Sequence, residues 1–150
     1  MSVVFLKKKV PKRYFRLITL CEELEDMVEE LEEIIRSNDA LELSIALTQT
    51  SSLVMTIEQE LLRLIDNPEI RKNIENEFKK IVSIMLFGTS ERFKGERKIV
   101  FPLLVARNLL DWIKNTLEDV SDGKIFEISL QRRSGIWIKP VTKESVLSMR

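Results

Sequence analysis

The sequence predicts a mainly α fold, a bundle of about four helices followed by a C-terminal β-hairpin, and three observations carry that expectation. Leu17, Leu20, Leu24, Met27, Leu31 and Ile34 recur at spacings of 3, 4, 3, 4 and 3, which is one narrow apolar seam on a long first helix. Helical spacing of apolar residues then continues as far as Val120, and beyond it the period falls to 2, the period of a strand. An apolar share of 44% over 150 residues suffices for one domain with a core and is too little chain for two large ones. The expected organisation is a basic N-terminal arm over 1–10, a helical domain over 11–121 and a small β-hairpin appendage over 122–150.

The first helix opens at Val10 and Pro11, where a missing backbone N–H costs nothing, and runs to about Arg36. Between its seam residues lie Glu22, Glu23, Glu25, Asp26, Glu29, Glu30, Glu32 and Glu33 without one base, so only the seam can be buried and an acidic face is left to solvent. Asp39 and Glu42 form a capping-box pattern for a second helix to about Ile65, carried by Leu43, Leu47, Val54, Ile57, Leu61 and Leu64. Its hydroxyl residues Ser44, Thr48, Thr50, Ser51, Ser52 and Thr56 offer competing local hydrogen bonds, which predicts irregularity near Thr50. Asn67 and Pro68 are an N-cap and first-turn pair for a third helix that ends at Gly88. A fourth follows through Ile99, Leu103, Leu110, Ile113 and Leu117; Pro102 leaves open a start near Phe101 or an earlier start with a kink. Asp122-Gly123 stops it. Phe126, Ile128 and Leu130 then alternate with their neighbours, Ser134-Gly135 signals a turn, and Ile136, Trp137 and Ile138 resume the alternation, so Lys124 to Lys139 reads as a hairpin.

Lys and Arg number 24 and Asp and Glu 24, a formal net charge of zero that argues against a surface tuned throughout for nucleic acid. The zero is a cancellation, because Lys7, Lys8, Lys9, Lys12, Arg13 and Arg16 form an acid-free stretch just before the acidic helix. Without histidine, histidine-based triads and zinc sites are excluded; no phosphate-binding glycine loop is present, and a single cysteine forms no intrachain disulfide. The residues therefore predict no catalytic centre, no metal and no cofactor, the acids reading as a solvated face rather than a magnesium site. The N-terminus is apolar first and basic second, the reverse of a secretory signal, and no apolar run reaches the roughly 18 residues of a membrane span. The expectation is a cytoplasmic protein with no membrane partner.

Candidate sites follow from what is left. The seam residues either fill the chain's own core or form a partner interface, with Trp137, placed opposite its apolar neighbours, as an added anchor. Lys7, Lys8, Lys9, Lys12, Arg13, Arg132 and Arg133 are the candidates for weak DNA or RNA contact, with Tyr14 and Phe15 as nearby stacking groups.

The stretch from Glu77 to Ile113, EFKKIVSIMLFGTSERFKGERKIVFPLLVARNLLDWI, resembles the most recognisable region of the GINS subunits of the replication fork. A basic and apolar helix carrying Lys79, Lys80, Ile81 and Val82 ends in Gly88, a polar turn and the Glu96-Arg97 pair follow, and Phe101 to Trp112 begins a core helix. With Tyr14-Phe15 leading into an acidic helix, the order is similar to the archaeal subunit whose helical A domain precedes a small β B domain, here reduced to residues 122–150. The resemblance implies a non-catalytic scaffold joining a second GINS-type subunit, the MCM helicase and a nuclease-fold accessory protein. The alternatives are a nucleic-acid-binding accessory domain, such as a small helical primase subunit, and a helical small subunit of another nucleoprotein assembly.

Overall fold

The computed structural model describes residues 6–37, 39–87 and 97–133. Residues 6–10 fold back on the bundle with Leu6 and Val10 buried, and Pro11, extended at φ −60° and ψ 153°, caps a 3-10 turn, Lys12–Tyr14. That turn runs directly into α1, Phe15–Ser37; α2 is Ala40–Leu64, α3 Pro68–Phe87, α4 Arg97–Ser121 and α5 Phe126–Arg133. Short links at 37–40 and 64–68 make α1, α2 and α3 successive antiparallel neighbours. The pairs Glu25–Lys114 and Glu32–Arg107 run in opposite chain directions, so α4 is antiparallel to α1. Helix α2 packs on α1 and α3, and α4 closes the ring by packing on α1 and α3.

Local chemistry sets the boundaries. Asp39 accepts from the Leu41 and Glu42 amides at 3.0 and 3.1 Å, and Asn67 from those of Glu69 and Ile70 at 2.9 and 3.2 Å, so both predicted N-caps are made. Arg71 donates to the Ile65 carbonyl at 3.0 Å, past the end of α2, and to that of Leu62, which also accepts from the Ile65 amide at 3.4 Å. Helix α4 ends in a Schellman turn: the Lys124 amide donates to the Asp119 carbonyl at 2.9 Å and that of Gly123 to Val120 at 3.0 Å, with Gly123 at φ +88°. A side chain at Gly123 would meet nothing within 4 Å, so only the backbone angle opposes one. Gly123→Ala is expected to cost about 1 kcal/mol, seen as a lower urea midpoint at unchanged slope.

The structure corrects two expectations and decides between the two starts left open for α4. The C-terminal β-hairpin is wrong: Phe126–Arg133 is a helix and no strand occurs among the described residues, so five helices replace four helices and a hairpin. Phe126, Ser129 and Leu130 share the buried face of this helix and leave Ile125 and Ile128 exposed. Contacts to other elements hold it there: the Phe126 ring lies 5.0 Å from that of Tyr14, the Trp112 indole N–H donates to the Leu130 carbonyl at 3.2 Å, Glu127 accepts from the Asp66 and Asn67 amides at 2.6 and 3.0 Å, and Ser129 and Arg133 donate to Asp119. An isolated hairpin has no comparable partners and is marginal in water. The second half of the expected hairpin, 134–139 with Trp137, lies outside the described residues. Helix α2, expected to be irregular near Thr50, is unbroken, because Thr50 and Ser51 donate to the Ala46 and Leu47 carbonyls at 2.7 and 2.9 Å without displacing the helix. Pro102 lies inside α4, which selects the earlier of the two starts.

Candidate interaction surfaces

Leu17, Leu20, Leu24, Leu31 and Ile34 are buried in the chain's own core and Met27 is half-buried. Ile18, Cys21 and Val28 widen the stripe, which faces α2 and α4. The seam thus holds the bundle together and offers no exposed docking line. Its acidic edges are partly neutralised inside the chain, Glu22 by Lys7 and Glu25 by Lys114, each at 3.4 Å, and Glu32 by Arg107. Glu23, Asp26, Glu29, Glu30 and Glu33 stay exposed.

The basic candidates divide. Lys7 is held by Glu22 and Arg133 by Asp119, at 2.8 Å from Nε, while Lys8, Lys9, Lys12, Arg13 and Arg132 are exposed. Arg13 lies 4.9 Å over the Tyr14 ring, and that ring is buried against Phe126, so it is not open to stack on a base. Beside it, at the end of the bundle where the 3-10 turn meets the α4–α5 turn, is a cleft of about 350 Å³. Tyr14, Leu64, Val120 and Phe126 give it apolar walls, and Arg13, Lys124, Asp66 and Glu127 carry opposed charges at its edge. The Glu127 carboxylate is already occupied by two amides.

Comparison with protein-family models, with characterised proteins and with solved structures finds no match for this chain.

Among the described residues, no group of three acids, histidines or cysteines is placed to hold a metal ion. The Cys21 thiol is fully buried and its pKa is pushed well up, first by that burial and then by Glu25, so it does not supply a thiolate at neutral pH. Two buried carboxylates are structural. Glu60 is clasped by Arg63 at 2.9 Å and Arg16 at 3.3 Å, and Asp119 by Ser129, Arg133 and Lys124.

The surface that sequence reasoning missed is the outward side of α2. Leu41, Ile45, Thr48, Ser52 and Met55 follow one another at spacings of 4, 3, 4 and 3, the line of one helix face. Leu41 is 72% exposed, Ile45 52% and Met55 44%. In a chain that is 32% charged, residues 43–57 carry no charge at all. That gap in charge is the sequence signal of this face. By length and composition α2 could also cross a membrane, but its inward face is packed on α1 and α3 as a core helix.

Proposed function

We propose that this chain is a non-catalytic assembly subunit that docks another polypeptide on the outward face of α2. The observation carrying the proposal is the uncharged run over 43–57 with Leu41, Ile45 and Met55 exposed along one line. Covering what remains exposed of those three side chains is worth less than the roughly 1.5–3 kcal/mol each of full burial, against about 4–15 kcal/mol for losing free tumbling. The face alone therefore supports weak to moderate affinity, and a tight complex needs contacts around it.

The GINS resemblance gives the proposal its specific form, a replication-fork scaffold joining a second GINS-type subunit, the MCM helicase and a nuclease-fold accessory protein. Support comes from the arrangement of the resembling stretch: Lys79 and Lys80 are exposed while Ile81 and Trp112 are buried, as expected of a basic and apolar helix followed by a core helix. A β B domain is not part of the proposal, since the segment where it would begin is α5.

Tagged chain and its Ile45→Asp variant, purified from native cells and then mixed with the purified partners, test this reading. The native chain should form a defined hetero-oligomer, and Ile45→Asp should bind at least roughly tenfold more weakly while keeping its helical circular dichroism and melting temperature. Equal binding by both proteins would remove the α2 face from the proposal.

A further inference from the structure

We propose that the cleft at the end of the bundle and the outward side of α5 form one docking surface for an acidic amphipathic segment of another protein, a surface separate from the α2 face. Ile125 lines the cleft, and Ile125, Ile128 and Arg132 follow one another at spacings of 3 and 4 along one side of α5. Ile125 is 63% exposed and Ile128 52%, while Phe126, Ser129 and Leu130 take the inward side. An apolar strip therefore leaves the cleft and continues along the helix. From Ile125 to Arg132 it spans about 10 Å, two turns of a facing helix.

Charge decides the occupant. At the cleft, Lys12 and Arg13 are exposed, and neither has an acidic partner among the described residues. Lys124 lies 3.8 Å from Asp119, whose carboxylate already takes two hydrogen bonds from Arg133, so its charge is only partly answered. Arg132 stands exposed at the far end of the strip. Cations thus flank an apolar middle on both sides. Glu127 does not offset them, because its carboxylate is spent on the Asp66 and Asn67 amides at the positive end of α3. Asp66 is the one exposed carboxylate lining the cleft. A segment with apolar residues in its middle and carboxylates on either side matches this order of groups, and a neutral or basic one does not. A nucleic-acid strand would match the cations alone: the Tyr14 ring lies under Arg13 and against Phe126, leaving no open face for a base, and Ile125 and Ile128 would meet sugar and phosphate.

Selection of random peptides of about twelve residues, displayed on phage, against the immobilised full chain should enrich sequences with apolar residues three or four apart and Asp or Glu on both sides. Fluorescence anisotropy with a selected peptide should then show binding that Ile128→Asp weakens at least roughly tenfold, with circular dichroism unchanged. Arg13→Glu and Arg132→Glu should each weaken it too, and Asp66→Asn should tighten it by removing a like charge from the cleft. Ile45→Asp should bind the peptide as the native chain does. Failure to enrich any sequence, enrichment of neutral or basic ones, or a selected peptide indifferent to Ile128→Asp overturns the proposal. So does a peptide released by Ile45→Asp, because the α2 face would then be the one in use. Single-stranded DNA that binds more tightly than the peptide, and is weakened by Arg13→Glu but not by Ile128→Asp, overturns it by assigning the cations to phosphate.

Discussion

Replacing Phe78 by alanine is expected to lower the melting temperature by roughly 10–15 °C. Phe78 is fully buried on α3, and its ring centroid lies 6.3 Å from that of Trp112 on α4 at an interplanar angle of 51°. Removing a buried ring costs about 3–5 kcal/mol when the surroundings cannot close over the void. Here they are held in place. The Trp112 indole is tied through its N–H to the Leu130 carbonyl, and its own carbonyl accepts from Thr116 at 2.8 Å, so swinging into the space would break a buried hydrogen bond. Phe78→Leu leaves a smaller void and should lose less than half as much. Thermal and urea denaturation of the two variants measure this, and a Phe78→Ala shift under about 3 °C would show that α3 and α4 repack freely around the site.

Most of the helical framework was legible in the sequence because its signals are local. Asp39, Asn67, Pro68 and Gly123 act on the amides and carbonyls of their own turn, and each does in the structure what its chemistry predicts. The seam of α1 was legible as a buried line, but whether it faced the chain's own helices or another protein's was not. That depends on Lys114 and Arg107, which meet its acidic edges from a helix far along the chain. Helix α5 was misread for a related reason. Phe126 and Leu130 satisfy both a strand alternation and a helical i, i+4 spacing, and a short segment carries too few residues to separate the two. Tyr14, Trp112 and Asp119 decide between them, and all three lie on other elements. The hydroxyl-rich middle of α2 shows the converse: a local competitor counts for little where packing on both sides keeps the helix unbroken.

Asp119→Asn is expected to destabilise the fold by about 2 kcal/mol near neutral pH, with a pH dependence that identifies the cause. The Asp119 carboxylate accepts from Arg133 at 2.8 and 3.1 Å and from the Ser129 hydroxyl, and Lys124 lies at 3.8 Å. The Arg133 hydrogen bonds chiefly, helped by Ser129 and by the nearby positive charges, hold its carboxyl down at about 2 against an ordinary 3.8, although burial works the other way. Because the folded value is the lower one, the ionised carboxylate stabilises the protein above the unfolded pKa, and that contribution is lost as pH falls from about 4 towards about 2. A difference of this size in protonation corresponds to about 2 kcal/mol. Glu58, raised by burial and then by Glu75, contributes with the opposite sign. The informative quantity is therefore the difference in unfolding free energy between the native chain and Asp119→Asn. It should be flat above about pH 5 and close steadily below about pH 4. A difference that stays constant down to pH 2 would mean that the asparagine disturbs packing, and that the ion pair does not hold α5 to the bundle.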